Sequence, residues 1–354
     1  MYLSDELPTT TSYQKVLGCG CIIGGILFFM YFQIQQKPVS FIWKPVQVWY
    51  TPEQRIKRPT YINQDHAFCG PCPADKRFST AWQLTDLVTL ISPKTPFLLN
   101  IGAGTADGGI YDPTYPLLTN FTPLFSALLI DPSTNPSHFN AYPNRSNIHI
   151  IHDYIWSETI VENILQKYNI SKYFTLLKVD IDSYECSLLQ SILQSGYQPQ
   201  IIHTEFNPIF APPVIFIPIY NSTTKHDWNP PLWSSSGPFY GCSLSALSKL
   251  LLSFNYTLVE LDFWDVIYIK RDIVELIQVQ VPLNDKVAYE YGFMSHSCFA
   301  YCRGNVKLYN EHIDGAIKTA LNQSNFTKYM TNIIDLFAPV SKKTNLKHPY
   351  IISI

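Results

Sequence analysis

Acidic and amide side chains follow two stretches of the chain that are otherwise apolar. The first stretch ends in Asp180-Ile-Asp182 and the second ends in Glu205-Phe-Asn207. Residues two apart on a strand point the same way, so each pair would present two oxygen-bearing side chains together. Like charges held together raise one pKa or call for a cation. We therefore expect these four residues to bind Mg²⁺ or Ca²⁺, or to take a proton from a substrate hydroxyl.

Each of these two stretches also has a simpler interpretation. Asp182 precedes a helical pattern that begins near Glu185, where an aspartate is also a common helix cap. His203 lies in an apolar run, and a histidine there is more often a hydrogen-bonded core residue than a catalytic one. Capping by Asp182 does not exclude a role in chemistry.

A glycine-rich turn follows another apolar run, residues 97–101. Gly102 and Gly104 let the backbone approach a ligand closely, as in nucleotide-binding crevices. Asp107 stands where a dinucleotide fingerprint has its third glycine, which disfavours a plain NAD site. Asp131 ends the next apolar run, where a carboxylate can accept both ribose hydroxyls of a nucleoside.

The elements that carry these residues alternate between strand and helix. Apolar runs bounded by turn residues predict strands, and the segments between them have helical spacing, which indicates parallel βαβ units. The predicted strands are 97–101, 126–130, 147–152, 174–181 and 199–206, followed by a closing hairpin of 256–261 and 265–270, and the predicted helices are 157–168, 185–193 and 244–252. We expect an α/β fold with a doubly wound, mostly parallel sheet that ends in an antiparallel hairpin. The strand ends, including Asn100 and Asp153, would then meet at one edge.

The order of these motifs resembles that of FkbM-type S-adenosylmethionine-dependent methyltransferases. The resemblance covers about residues 96–272. The matching motifs are Asn100-Ile-Gly-Ala-Gly104, Asp131, Leu177-Lys-Val-Asp-Ile-Asp182, Ile201 to Asn207, and Tyr240-Gly-Cys-Ser-Leu-Ser-Ala-Leu continuing to Tyr268-Ile-Lys-Arg-Asp272.

This resemblance implies a class I (Rossmann-like) methyltransferase fold, with S-adenosylmethionine held by Gly102, Gly104 and Asp131 and with Asp153 near the adenine. It also implies methylation of a hydroxyl, often on a sugar or another small polar molecule. Asn100 stands where the family usually has an aspartate, and it can still hydrogen-bond to the cofactor. Two alternatives remain: a non-catalytic binding protein on the same scaffold, suggested by Asn100, and a NAD-type oxidoreductase.

The chain before this region contains a membrane-anchor pattern. Residues 16–36 carry no charge and are long enough to span a bilayer as a helix. We expect a tail over 1–15, a single transmembrane anchor over 16–36, and a stem with a first helix near 78–91 that reaches residue 95. Residues 273–354 would form an extension of unknown role. Gly20 and Gly24 are spaced to form a helix dimer, although glycine is common in such helices.

Two signals disagree on the orientation of the anchor. Lys15 lies before it and Lys37 and Lys44 after it, which weakly favours a cytosolic C-terminal part. Asn-x-Ser/Thr sequons favour a lumenal or extracellular one, because chance would give only about three. The chain has seven of them, at Asn120, Asn144, Asn169, Asn221, Asn255, Asn322 and Asn325. We expect the lumenal or extracellular arrangement.

Composition limits the partners. The 354 residues carry a net charge of −2, with 15% charged and 14% aromatic residues. The chain therefore offers no basic field for nucleic acid. A glycan or small molecule as the acceptor is what the FkbM resemblance implies. Beyond the anchor there are six cysteines, which are Cys69, Cys72, Cys186, Cys242, Cys298 and Cys302. A lumenal setting and an even number predict disulfides, and zinc binding is the alternative.

Overall fold

The structure is a computed structural model that describes most of the chain from residue 81 onward. The described ranges are 81–104, 112–219, 241–301, 325–328, 330–331 and 350–354. Backbone alone is described for two short strands, β1 (Arg58–Pro59) and β2 (Phe78–Ser79), which pair antiparallel with each other.

A seven-stranded sheet organises these residues. Its strands are β3 (Phe97–Ile101), β4 (Ser126–Asp131), β5 (Ile148–His152), β6 (Tyr173–Val179), β7 (Gln198–Glu205), β9 (Tyr256–Asp262) and β10 (Asp265–Lys270). Their order across the sheet is β5-β4-β3-β6-β7-β10-β9. The first five strands in this order, from β5 through β4, β3 and β6 to β7, are parallel to one another. Strand β10 is antiparallel to both β7 and β9. The predicted doubly wound sheet with a reversed pair at its end is confirmed.

Helices cover both faces of this sheet. They are α1 (Leu84–Ile91), α2 (Tyr115–Thr119), α3 (Glu185–Gln194), α4 (Leu244–Ser253), α5 (Arg271–Ile277) and α6 (Asp285–Ala288). Single turns of 3₁₀- or π-type lie at 136–139, 161–166, 289–294 and 297–301. A strand β8 (Ile215–Pro218) pairs antiparallel with β11 (Tyr350–Ser353) near the end of the chain.

Alternate residues of each central strand enter two separate cores, as the two-residue period of a strand requires. Leu99 and Leu177 pack with α3, α4 and part of the C-terminal extension on one face. Leu98 and Leu176 pack with α1, α2 and α5 on the other face. Burial of these apolar runs on both faces explains why the strands read as nearly continuous hydrophobic stretches.

The C-terminal extension contributes to the core that contains Leu99 and Leu177. Tyr289, Phe293 and Cys298 are buried in it, and so are Met330 and Ile352. The sequence pattern of residues 273–354 did not predict this. It arises because aromatic residues of irregular turns fill the core beside α4 and β9 rather than forming a periodic face.

The first helix begins later than the sequence predicted. Residues 78–79 belong to β2, and α1 starts at Leu84. Gln83 is the N-cap, and its backbone N–H donates to the Asp86 carboxylate, which is 3.2 Å away. Because this reciprocal capping box begins the helix, the predicted start near residue 78 is wrong.

No helix within the described ranges is long and apolar enough to cross a membrane. The predicted anchor, residues 16–36, lies outside those ranges, and so do Cys69 and Cys72.

Candidate functional site at the carboxyl edge of the sheet

The crevice between β3 and β6 lies where the chain reverses the direction in which it adds strands. Ligands of open α/β sheets bind at this switch point, outside the carboxyl ends of the strands. Gly102 has a φ of +83°, and a Cβ there would overlap the carbonyl oxygen of Asp180. Glycine at 102 therefore allows β3 and β6 to touch at their ends. Space for a ligand is not what requires this glycine.

Asp131 closes over the glycine turn from the end of β4. Its Oδ2 accepts the Gly104 N–H at 3.1 Å and its Oδ1 accepts the Ser133 N–H at 2.8 Å. A Cβ on Gly104 would lie 2.7 Å from the Asp131 carboxylate, so this glycine makes room for that side chain. Each carboxylate oxygen still has a lone pair, which is enough to accept two further hydroxyls. Asp131 therefore suits a ribose.

Asp153 follows β5 on the same edge. Its backbone N–H donates to the Asp131 carbonyl over 3.2 Å, and its side chain is exposed. Beyond it, Tyr154 stacks on Trp156, and Trp156 stacks on Tyr184. The Tyr184 hydroxyl donates to the Ile155 carbonyl at 3.4 Å, so this segment reaches across from β5 to the start of α3. It borders the carboxyl ends of β3 and β4.

Asn100 lies beneath this edge in a buried polar network. Its amide is fully buried and donates to Asp112 at 3.0 Å and to Thr114 at 3.1 Å. Its Oδ1 has no hydrogen-bond partner within the described part of the chain. The predicted contact between Asn100 and a cofactor stays a prediction, because the amide nitrogen already points into the protein.

Lys178 supplies the positive charge of that network. Its Nζ lies 3.3 Å from the Asp112 carboxylate and 2.8 Å from that of Asp180, and it donates to the Gly102 carbonyl at 3.3 Å. Burial opposes the negative charge of Asp112, but the Lys178 ammonium and hydrogen bonds from Thr114 and Asn100 outweigh it and lower the pKa of Asp112. Burial likewise opposes the ammonium, and the two carboxylates outweigh it and raise the pKa of Lys178. Lys178 and Asp112 are therefore both ionised, and the Lys178 ammonium also holds Asp180 in place.

Asp180, Asp182 and Glu205 are brought together as the sequence predicted. One carboxylate oxygen of each lies within 4.8 Å of the others. Asp182 has a φ of +58°, a left-handed conformation that is uncommon outside glycine. Asn207 is fully buried, and its Oδ1 accepts the Ile209 N–H at 3.0 Å. Three of the four predicted residues therefore lie together at this edge of the sheet, while the Asn207 oxygen stabilises its own turn.

Glu185 fixes the turn that carries Asp182. Its Oε1 accepts the N–H groups of Ile181 at 3.2 Å and Ser183 at 2.9 Å, on either side of Asp182. Burial, with a contribution from the Asp182 charge, raises the pKa of Glu185 to about 7. The N-cap of α3 is Tyr184, without a side-chain cap bond, so the interpretation of Asp182 as the cap is wrong.

A disulfide joins the residues that follow Glu185 and Gly241. Cys186 and Cys242 are bonded, with Cα atoms 6.1 Å apart. Glycine at 241 leaves room for the Glu185 carboxylate, since a Cβ there would lie 3.1 Å from Oε2. Cys298 is also in a disulfide. The prediction of disulfides is thus confirmed for these cysteines.

Asp262 and Asp265 extend the acidic edge, and sequence analysis missed both. Asp265 pairs in register with Glu205 on one side and with Asp262 on the other. Because β10 runs antiparallel, its first residue lies at the carboxyl end of β7. Burial, followed by the Asp180 charge, raises the pKa of Asp265 well above its ordinary value. The short turn between the predicted closing strands, residues 262–264, was the signal that could have placed both acids here.

His203 belongs to the core, as the simpler interpretation held, but its Nδ1 has no hydrogen-bond partner within the described residues. It is 3% exposed, and its Nε2 lies 3.8 Å from Asp265. Burial and the nearby Lys178 charge lower the pKa of His203 to about 3, so the ring is neutral. Within the described residues, Lys178 is thus the cation set against the carboxyl groups of this edge. Such an edge can accept a proton or hold a cation.

The similarity of this chain to known proteins is weak. No family model and no curated protein matches the chain. Among solved structures, TnmH aligns with a TM-score of 0.30 at 8% identity, over 52% of this chain and 54% of TnmH. A fibrillarin/Nop5p complex aligns with a TM-score of 0.27 at 10% identity, over 60% of this chain and 88% of that one. The chain thus spans about half the length of TnmH, and these scores are too low to support an argument.

Proposed function

We propose that this protein is an S-adenosylmethionine-dependent methyltransferase that acts on a hydroxyl oxygen, on a glycan or a small polar metabolite. The observation that supports this best is the position of Asp131. Its carboxylate lies over Gly104 at the carboxyl edge, one strand from the switch point, with lone pairs left for a ribose. The strand order, with its reversed last pair, agrees with the fold that the FkbM resemblance implies.

The cofactor would lie against Gly102, Gly104, Asp131 and Asp153, and it would supply an electrophilic methyl group. The protein then has to align an acceptor oxygen with that group and remove the hydroxyl proton. Glu205 and Asp182 lie together on the adjoining edge, and either carboxylate can take the proton. Lys178, whose Nζ lies 2.8 Å from the Asp180 carboxylate, holds Asp180 in place beside them.

A divalent cation, Mg²⁺ or Ca²⁺, is proposed at Asp180, Asp182 and Glu205. Both ions prefer carboxylate oxygens, and these three groups are close enough to share one. Calorimetric titration with each ion should show binding that Asp182→Asn weakens at least tenfold. Asp153→Asn, which changes an exposed carboxylate of the same edge outside this cluster, should leave it unchanged. Equal binding by the wild type and Asp182→Asn would contradict the metal site.

A non-catalytic binding protein on the same scaffold is the second candidate. It is favoured by Asn100, whose amide is committed to Asp112 and Thr114 at the position where the FkbM family usually has an aspartate. An acceptor screen separates the two. The full chain is incubated with S-adenosylmethionine carrying a labelled methyl group and a library of glycans and polar metabolites. Label in any acceptor, together with S-adenosylhomocysteine, supports the enzyme, and cofactor binding without transfer supports the alternative.

The membrane anchoring and the compartment of the domain belong to this proposal as well. We propose a single-pass membrane protein anchored by residues 16–36, with the catalytic domain in the secretory lumen or outside the cell. Dimerisation through Gly20 and Gly24 is a further hypothesis. The disulfide between Cys186 and Cys242 supports the oxidising compartment, because such bonds are rare in reducing ones.

A further inference from the structure

Four sequons fall in loops that enter strands of the central sheet. Asn120 precedes β4, Asn144 precedes β5, Asn169 precedes β6 and Asn255 precedes β9. Strands β4, β5 and β6 are parallel, so three of these loops lie at one edge of the sheet. Strand β9 is antiparallel to β10, which is antiparallel to β7, so β9 begins at that edge as well. All four asparagines therefore lie at the amino edge, opposite the candidate site.

The side chains of these asparagines are available for modification. All four residues are exposed. Within the described residues no hydrogen bond engages any of the four side-chain amides, while backbone N–H groups of Asn120, Asn169 and Asn255 are used in turns. A glycan needs such a surface loop, because it is bulky and must remain in solvent.

Turn chemistry alone does not account for this pattern. Asn169 and Asn255 have φ values of +50° and +68°, and asparagine tolerates that conformation better than most residues. Asn120 has a φ of −121°, for which asparagine has no such advantage. Nor does a left-handed asparagine require a serine or threonine two residues later.

Exposed apolar side chains lie beside the same asparagines. Tyr168 and Tyr173 flank Asn169, and Tyr173 is 72% exposed. Leu124 lies four residues after Asn120, and Leu252 lies three residues before Asn255; both are more than half exposed. A chain with only 15% charged residues has few ionic groups to keep such a surface soluble. Attached sugars would cover these side chains.

At the opposite edge, the described residues include an exposed asparagine that does not stand in a sequon. Asn135 is an exposed residue in the loop that follows β4, on the side of the candidate site. Its tripeptide is Asn135-Pro136-Ser137, and proline at the middle position prevents recognition as a sequon.

We propose that Asn120, Asn144, Asn169 and Asn255 carry N-linked glycans, which cover the amino edge of the sheet and leave the carboxyl edge open. The donor is a lipid-linked oligosaccharide diphosphate of the secretory pathway. The amide Nδ2 forms a bond to C1 of the first sugar, the bond from C1 to the diphosphate breaks, and the amide loses one proton. This assignment is independent of the methyltransferase proposal.

The test uses the full chain expressed in eukaryotic cells with a secretory pathway. A peptide N-glycosidase in ¹⁸O-water converts each modified asparagine into labelled aspartate, which mass spectrometry locates. We expect the label at all four positions and none at Asn135. Ser146→Ala and Ser171→Ala, which keep Asn144 and Asn169, should each remove one glycan, whereas Asn135→Gln should remove none.

Formation of the Cys186–Cys242 disulfide serves as the internal control for compartment and folding. The proposal is overturned if peptides with the four asparagines are unmodified in protein whose disulfide has formed. It is equally overturned if the chain is recovered with these cysteines reduced and its C-terminal part digested by a protease added to the cytosolic side of intact membranes.

Discussion

Replacement of Lys178 by methionine tests the buried network under the candidate site. Methionine keeps the length of the side chain but removes the ammonium that faces Asp112 and Asp180. Asp180 is about a quarter exposed and can be rehydrated, whereas the Asp112 carboxylate is fully buried. Removal of one partner of a buried pair costs about 3–5 kcal/mol. At 2–4 °C per kcal/mol, the melting temperature should fall by on the order of 10 °C.

The pH dependence of this loss gives a sharper signature. In the wild type the pKa of Asp112 is lowered, so its contribution to the free energy of unfolding is present above its ordinary pKa near 4 and is lost at lower pH. Without Lys178, burial would dominate and raise that pKa. The Asp112 contribution in the variant should then fall as the pH rises from about 4, so the variant should lose more stability than the wild type over that range.

Thermal melts followed by circular dichroism between pH 4 and pH 8 measure both effects. Lys94→Met is the matched control, because Lys94 is an exposed lysine shortly before the neighbouring strand β3, and it should change stability by less than about 0.5 kcal/mol. The double variant Lys178→Met/Asp112→Asn should recover at least half of the loss, since no buried charge is left. The reasoning is refuted if Lys178→Met melts like the wild type, or if the double variant is no more stable than the single one.

Three further predictions concern the turns around the site. Gly102→Ala should abolish folding, because its Cβ would overlap the Asp180 carbonyl, whereas Gly196→Ala, with φ +82° and open space around it, should cost only about 1–2 kcal/mol; equal melting temperatures would contradict the contact. Glu185→Gln should remove a loss of stability, on the order of 3 kcal/mol, that the wild type shows as the pH rises from about 4 to 7, and urea unfolding with the same pH slope in both proteins would argue against it. Cys186→Ala should cost about 4 kcal/mol by the entropy of a loop of 56 residues, measured by urea unfolding, and a cost below 1 kcal/mol would show that the bond does not restrain the unfolded chain.

The strands could be predicted because each is an apolar run that ends in turn residues. That pattern placed Asp131, Asp180, Asp182 and Glu205 at one edge, since parallel strands bring their carboxyl ends together. The pairing of β8 with β11 could not be predicted, because the strands are short and far apart in the chain.

The remaining site residues depend on contacts that no local pattern encodes. Lys178 reads as an ordinary polar residue in a strand, and its burial follows only from the partners that Asp112 and Asp180 supply. Gly102 has the pattern of a ligand-binding turn, yet the carbonyl of Asp180 occupies the space beside it. Asp265 becomes part of the edge because the last strand reverses direction next to β7.

The central claim is that Asp131 and the glycine turn hold S-adenosylmethionine. The most direct test is calorimetric titration of the purified full chain with S-adenosylmethionine and with S-adenosylhomocysteine, compared with Asp131→Ala and with Glu275→Ala, a substitution of an exposed residue in α5 away from the site. We predict binding of both ligands by the wild type and Glu275→Ala and at least a tenfold weaker affinity for Asp131→Ala, since a carboxylate that bonds two ribose hydroxyls contributes about 1.5–3 kcal/mol. Absence of binding by folded wild-type protein, or equal binding by Asp131→Ala, would contradict the account.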